Sequence, residues 1–209
     1  MQKTTPHLIE QESRLVQLKG SGLATLMLRA FGWRVDFQGL PALQGVVMVY
    51  PHTSNWDFVI GILAKWAIGI PVKFWGKDSL FKPPIVGRWM RWIGGVPIDR
   101  KSSKGMVGGT AAQMLEAREK SEFFWLAVAP EGTRSLTPGW RSGAYRVALE
   151  AAVPVGLVAL DFGTRTVRFS QFVELSGDAQ ADFAFFAQVY AGAKGKRHEL
   201  AAPITLRQQ

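Results

Sequence analysis

The sequence predicts an α/β fold: one layered domain in which a mixed, largely parallel sheet is flanked by helices. Strand-like and helix-like segments alternate along its 209 residues, which is typical of a layered α/β domain. A continuously apolar run at residues 123–129 indicates a strand buried on both faces. With 47% hydrophobic residues, the chain can bury a sizeable core. We therefore expect a single domain over residues 1–209, with its motif-bearing core at about 33–175.

Each element follows from a local pattern. Apolar residues at helical spacing predict helices near 22–31, 55–69, 104–119, 141–152 and 179–193. Runs rich in β-branched and aromatic residues predict strands near 33–39, 45–50, 72–76, 95–99, 122–129, 153–161 and 166–174. The run 46–50 ends at Pro51, and Thr53 or Ser54 can cap the helix that follows it.

His52 falls at the predicted turn between a strand and a helix, where side chains commonly face a cleft. Asp57 lies one turn into the helix, from where its carboxylate can return to the imidazole. A carboxylate on one ring nitrogen fixes the tautomer, which leaves the other nitrogen to accept a proton from a substrate hydroxyl. This pair is the base and orienting acid of a serine-protease triad, with an acceptor alcohol as the nucleophile. The residues from Ser54 to Asp57 also fit a capping box, in which the acid only satisfies a backbone N–H.

A second polar segment follows the apolar run 123–129. In open α/β sheets, ligands bind beyond the carboxyl ends of the strands. Gly132 allows close backbone approach, Thr133 offers a hydroxyl, and Arg134 presents a planar fork suited to phosphate or carboxylate. Alternatively, Glu131 and Arg134 pair with each other across a surface turn, which would contribute little to stability.

Four segments, taken in order, resemble the glycerophospholipid acyltransferase family, which includes the bacterial lysophosphatidic acid acyltransferases. His52 and Asp57 match its H-x4-D block. Residues 94–100 resemble its second block, 131–134 its E-G-T-R block and 153–158 its proline-containing fourth block. Four blocks in the expected order are more specific than any one of them.

The resemblance implies transfer of a fatty acyl group from a thioester to the hydroxyl of a lysophospholipid, with 1-acyl-glycerol-3-phosphate as the first choice, in phospholipid biosynthesis. His52 would be the general base and Asp57 its orienting partner. The acyl donor would be acyl-CoA or acyl-carrier protein, and no separate cofactor is expected. Polar and basic residues would bind the acceptor's phosphate and headgroup. These are Glu131, Gly132, Thr133, Arg134, Arg100 and Lys77.

One segment departs from the family pattern. Members often have Phe-Lys-x-Gly-Ala after the third block, whereas this chain has Trp-Arg-Ser-Gly-Ala at residues 140–144. The positive charge is kept, but a planar guanidinium and a compact ammonium differ in geometry. The acceptor therefore stays open, and another lyso-lipid, such as a lyso-ornithine lipid, would present similar chemistry to His52.

The chain carries a formal charge of +9, which favours an anionic partner. Much of the excess lies in residues 73–104, where basic residues are interleaved with aromatic ones. This mixture suits the headgroup level of an anionic bilayer. The positive charge would also suit binding to nucleic acid, but the sequence contains no recognised nucleic-acid-binding motif. A third interpretation places the aromatic residues in the core and the lysines in water. We expect an anionic membrane surface as the partner, and no nucleic acid.

No segment reaches the ~18 to 20 uninterrupted apolar residues that a membrane-spanning helix needs. The helix near 22–31 would either lie in the membrane interface as an amphipathic anchor or pack on the domain. The first residues, with Lys3, Glu10 and Glu12 before any long apolar stretch, do not resemble a secretory signal. The expected location is therefore cytoplasmic and peripheral, on the inner face of the membrane.

Composition narrows the chemistry further. The chain has no cysteine and three scattered histidines, so disulfides are excluded and a metal site is not expected. Two classes of function remain: an O-acyltransferase, and a non-catalytic basic module that binds anionic membrane. They differ at His52 and Asp57, because a binding module would tolerate the loss of both side chains.

Overall fold

A computed structural model describes residues 5–10, 16–98 and 103–207. Its strands are β1 (His7–Leu8), β2 (Arg34–Asp36), β3 (Gln44–Tyr50), β4 (Lys73–Lys77), β5 (Gly95–Ile98), β6 (Phe124–Val128), β7 (Val155–Asp161) and β8 (Thr166–Glu174). Its helices are α1 (Gly22–Ala30), α2 (Asn55–Ile68), α3 (Pro84–Trp92), α4 (Ser103–Glu119), α5 (Gly143–Glu150) and α6 (Ala179–Val189). Short 3-10 turns lie at Asp78–Phe81 and His198–Leu200.

All these strands belong to one sheet, in the order β1-β8-β7-β3-β6-β4-β5, with β2 also paired to β8. The strands from β7 to β5 along this order are parallel. β8 is antiparallel to β7 and β1 and parallel to β2. The predicted α/β fold with a mixed, largely parallel sheet is therefore confirmed.

Helices cover both faces of the sheet. On one face, Leu28 of α1 and Leu63 of α2 lie in one buried cluster with Trp125 of β6. On the other face, Met114 of α4 and Phe186 of α6 lie in a second cluster with residues of β3 and β7. Because successive strand side chains point to opposite faces, the central strands contribute to both clusters. The sheet is thus enclosed on both sides, and its edges and strand ends remain for ligands.

The predicted helices and strands all occur, although β2 and α6 are several residues shorter than predicted. The sequence did not indicate β1 or α3, and residues 84–92 fell within the basic and aromatic segment. α3 begins at Pro84, whose fixed φ suits a first helical turn. Gly87 lets the helix lie against Phe81, since a Cβ there would come within 2.2 Å of the Phe81 carbonyl oxygen. Met90 is buried, whereas Trp92 is 74% exposed.

Candidate active site

The two motif-bearing loops are neighbours because β3 and β6 are parallel and adjacent. Met48 of β3 pairs with Val128 of β6, so both strands end at the same edge of the sheet. His52 follows the end of β3 and Glu131 follows the end of β6 by only a few residues. In open α/β sheets this edge is where ligands bind. The sheet order therefore brings the H-x4-D and E-G-T-R segments together.

His52 and Asp57 form a close pair at this edge. Nδ1 of His52 lies 3.3 Å from Oδ2 of Asp57. The Asp57 side chain is 1% exposed and the His52 side chain 19% exposed. With the carboxylate on Nδ1, the ring is oriented so that Nε2 is the nitrogen left for a substrate. The pair is arranged as a general base and its orienting acid would be, at a separation slightly longer than the roughly 2.6–3.2 Å of a catalytic hydrogen bond.

The capping box that the sequence also indicated is formed by the same carboxylate. Oδ2 of Asp57 accepts hydrogen bonds from the backbone N–H groups of Thr53, at 2.6 Å, and Ser54, at 2.7 Å. The Ser54 hydroxyl donates to Oδ1 at 3.1 Å and accepts from the Trp56 N–H at 3.0 Å. The two interpretations are therefore compatible, because capping the helix holds the carboxylate in the position that meets His52.

Glu131 lies behind His52 rather than in the open site. Its Oε2 accepts the backbone N–H of His52 at 2.6 Å, and its Oε1 accepts the backbone N–H of Ala202 at 3.1 Å. The residue is 1% exposed. Burial raises the pKa of its carboxyl to about 7, although both backbone donors favour the charged form. The carboxyl group thus contacts the main chain on either side, and the predicted contact with an acceptor headgroup stays a prediction.

Gly132 and Arg134 occupy the turn after β6. Gly132 has a φ of +69°, and a Cβ there would come within 2.7 Å of Nε of Arg141. The positive φ therefore favours glycine at this position, and any side chain there would also displace Arg141. Arg134 is exposed, and its Nε donates to the Ser54 carbonyl at 3.2 Å. The guanidinium is thus anchored at the start of α2, and it does not form the surface pair with Glu131.

A cavity of about 940 Å³ opens beside His52 and Asp57. Its interior lies between α2 and the sheet and is lined mainly by apolar side chains, among them Val49, Ile62 and Leu160. Such a cavity, with a few polar groups at one end, is the usual form of a small-molecule site. Four of the predicted substrate-binding residues line it. They are Lys77, Gly132, Thr133 and Arg134.

Three further arginines line the same cavity, and none of them was predicted as a site residue. They are Arg141, Arg146 and Arg207. Arg141 stands in the segment that departs from the family pattern, and this departure was the signal that could have identified it. Arg207 had no such signal. It reaches the site because Leu206 bridges to Trp140, and the Arg207 N–H donates to the Trp140 carbonyl at 2.8 Å.

Other expectations meet the structure only in part. Arg100 lies outside the described residues, so its role as a second cation stays a prediction. Within residues 5–10, 16–98 and 103–207, no group of three or more His, Cys, Asp or Glu side chains is arranged to hold a metal ion. In the same part of the chain, every helix is too short or too polar to cross a membrane.

Comparison with known proteins addresses the same region of the chain. A family model described as Acyltransferase matches residues 34–160, which is more than half of the chain. The chain belongs to the acyltransferase family. This confirms the resemblance drawn from the four motifs, and the match includes His52, Asp57 and the E-G-T-R segment. The C-terminal part of this acyltransferase, which carries Ala202 and Arg207, lies beyond the matched region.

Two plant proteins are similar to this acyltransferase. A chloroplastic 1-acyl-sn-glycerol-3-phosphate acyltransferase of Brassica napus is 29% identical over 132 residues, which cover 61% of this chain and 37% of that protein. Its counterpart in Arabidopsis thaliana is 27% identical over 131 residues, which cover 61% and 36%. The chain therefore matches little more than a third of the length of these relatives. No solved structure matches it.

Proposed function

We propose that this acyltransferase transfers a fatty acyl group from a thioester to the free hydroxyl of a lysophospholipid, with 1-acyl-glycerol-3-phosphate as the first candidate. The observation that carries the proposal is the His52–Asp57 pair, 3.3 Å apart, at the opening of a largely apolar cavity. The imidazole is suited to activate a hydroxyl, and the cavity is suited to a fatty chain. Both plant relatives are named as 1-acyl-sn-glycerol-3-phosphate acyltransferases, which supports the same acceptor here.

The proposed reaction needs no protein nucleophile. The acceptor hydroxyl donates a hydrogen bond to Nε2 of His52, and its oxygen attacks the thioester carbonyl as the proton passes to Nε2. Protonation of Nε2 gives an imidazolium, which Asp57 stabilises through Nδ1, as the acid does in a serine-protease triad. Collapse of the tetrahedral intermediate breaks the carbon–sulfur bond. The thiolate then takes the proton from His52, which leaves an ester, a free thiol and the original base.

Basic side chains around the cavity support an acceptor or donor that carries phosphate. Arg134, Arg141 and Arg207 line the cavity and offer planar guanidinium groups, which bind phosphate in bidentate fashion. Lys77 also lines the cavity and adds a further positive charge. Both candidate donors, acyl-CoA and acyl-carrier protein, carry phosphate groups on the pantetheine arm. We keep both as candidate donors in the proposal.

We also propose that the enzyme docks peripherally on the inner, cytoplasmic face of an anionic membrane. α1 packs on the domain through Leu28, yet Leu23 and Leu26 on this helix and Phe31 just after it are exposed. Packing of this helix on the domain thus leaves an exposed apolar side, which supports the proposed interfacial role. On α3, Trp92 is exposed, and basic side chains lie close by in the sequence. Exposed apolar and basic residues together favour an interfacial position.

The test of the reaction is thiol release from palmitoyl-CoA by the purified protein, with and without lysophosphatidic acid in mixed micelles. We expect acceptor-dependent release that falls by about 10²- to 10⁴-fold in His52→Ala. His7→Ala is the matched control, because His7 is an exposed histidine on β1, at the edge of the sheet. Unchanged release in His52→Ala would contradict the mechanism. Vesicle binding without turnover on a full panel of lyso-lipids and acyl carriers would favour a binding module instead.

A further inference from the structure

The cavity follows one face of α2. Asp57, Gly61 and Lys65 are spaced by four residues, so they lie one above another on the same side of the helix, and all three line the cavity. With a rise of ~1.5 Å per residue, Gly61 lies about 6 Å along the axis from Asp57, and Lys65 lies about 12 Å from it. A molecule that reacts at His52 and extends along this face must therefore pass Gly61.

Gly61 has no structural reason to be glycine. A Cβ built there meets no atom within 4 Å, and the residue does not have a positive φ. Gly45, by contrast, is required by packing, because a Cβ there would lie 2.3 Å from the Trp125 ring. Glycine inside a helix costs about 1 kcal/mol relative to alanine. The open space beside Gly61 is part of the cavity, and any larger side chain would project into it.

Lys65 closes the far end of this path. It lines the cavity and also a shallow groove on the outer side, formed with Leu23 and Met27 of α1 and with Trp92. Ile70 likewise lines both spaces. The Nζ of Lys65 donates to the Ile93 carbonyl at 2.5 Å, which holds the side chain across the boundary. Lys65 and Ile70 therefore form the wall between the inner cavity and the outer groove.

We propose that Gly61 keeps open the path of an extended fatty acyl chain beneath α2, and that Lys65 with Ile70 sets the longest chain that fits. This inference rests on the proposed function, since it assigns the cavity to a reacting or bound acyl lipid. The chain belongs either to the thioester donor or to the lysophospholipid acceptor. The donor chain and the acceptor chain are both apolar and would fit the cavity equally well. The experiment below distinguishes the two.

The test compares Gly61→Leu with Gly108→Leu. Gly108 is also a helix glycine with open space at its Cβ, but it is exposed on α4 and does not line the cavity. In one arm the donor runs from butyryl-CoA to palmitoyl-CoA with a fixed acceptor. In the other arm the acceptor chain is varied with a fixed donor. We expect Gly61→Leu to lose at least about tenfold in kcat/KM for the long chain relative to the short one, in one arm only.

Each outcome of this test has a different meaning. A loss confined to the donor arm assigns the cavity to the thioester, and a loss confined to the acceptor arm assigns it to the lyso-lipid. Equal chain-length profiles for Gly61→Leu and Gly108→Leu in both arms would overturn the inference. If the unmodified protein shows no turnover, the proposed function fails, and binding of a fluorescent long-chain fatty acid then decides this inference alone. Weaker binding in Gly61→Leu supports the path, and equal binding refutes it.

A second variant tests the end wall. Lys65→Ala removes the side chain that separates the cavity from the groove beside α1. We expect the chain length that gives the highest kcat/KM to shift to longer chains, in the same arm that Gly61→Leu affects. A proportional change for all chain lengths would mean that Lys65 only supports the fold, and the wall would then be assigned wrongly.

Discussion

At the scale of single residues, Asp57 carries two tasks with one carboxylate. It accepts backbone N–H groups at the start of α2 and faces Nδ1 of His52. Helix capping contributes about 1 kcal/mol to stability, whereas the proposed orientation of the His52 imidazole would contribute to turnover and not to stability. The two tasks can therefore be separated by measuring activity and stability in the same variants.

We predict that Asp57→Asn lowers both turnover and stability, whereas His52→Ala lowers turnover alone. An asparagine has one acceptor oxygen and favours the wrong imidazole tautomer, so kcat should fall by ~10²- to 10⁴-fold. The free energy of unfolding should fall by roughly 1 to 2 kcal/mol, since the cap is weakened. Activity assays and thermal melts on both variants measure this. Equal melting temperatures for Asp57→Asn and the unmodified protein would mean that the capping bonds do not stabilise α2.

At the scale of elements, α1 carries apolar residues both on its buried side and on its exposed side. Ala24 and Leu28 are buried against the domain, and Leu23, Leu26 and Phe31 remain exposed. Arg29 lies in its last turn. The outer groove beside α1 joins it to exposed Trp92 of α3, so the two helices present one surface. A helix that served only the core would not need the exposed set.

We predict that replacing Leu23, Leu26 and Phe31 with glutamine reduces binding to vesicles of anionic phospholipid by at least about tenfold, since each apolar side chain buried contributes ~1.5 to 3 kcal/mol. The control replaces Leu115 and Leu149, which are exposed on α4 and α5 on the opposite side of the sheet. Vesicle flotation measures the membrane-bound fraction of both variants. Equal loss in the two variants would indicate a general effect of surface polarity, and no loss in either would remove α1 from the membrane surface.

At the scale of the whole molecule, the C-terminal segment supports the site from outside the matched family region. Glu131 joins the N–H of His52 to that of Ala202, and the Tyr50 hydroxyl donates to the Ala202 carbonyl at 3.1 Å. The N–H of Arg197 donates to the Thr53 hydroxyl at 3.2 Å. The residues on both sides of His52 are thus held by a segment 144 to 152 residues later in the chain. The position of His52 therefore depends on complete folding.

We predict that Glu131 makes the protein less stable as pH rises through the acid range. Its pKa is raised by burial from 4.5 to about 7, so between these values the folded state binds a proton that the unfolded state has lost. The contribution of Glu131 to the free energy of unfolding must then fall from about pH 4.5 to about pH 7, by on the order of 3 kcal/mol, and level off above. Denaturant unfolding of the unmodified protein and of Glu131→Gln at several pH values across this range measures the free energy of unfolding of each. The stability advantage of the unmodified protein over Glu131→Gln should shrink as pH rises, and a constant difference would contradict the raised pKa.

The sequence by itself determined the local features of this protein. The alternation of strands and helices, the capping box at the start of α2 and the approach of Asp57 to His52 all depend on residues a few positions apart. Backbone geometry fixes such spacings, so they could be predicted from the residue pattern. The same holds for the family, because its motifs are short and occur in a recognisable order.

Only the tertiary structure decided which distant residues share the site. Glu131 is buried behind His52 because β6 lies beside β3, and Arg207 reaches the cavity because the chain after α6 returns to Trp140. The open space beside Gly61 exists only once α2 has packed on the sheet. These features depend on contacts between segments far apart in the chain, and neither composition nor periodicity carries information about such contacts.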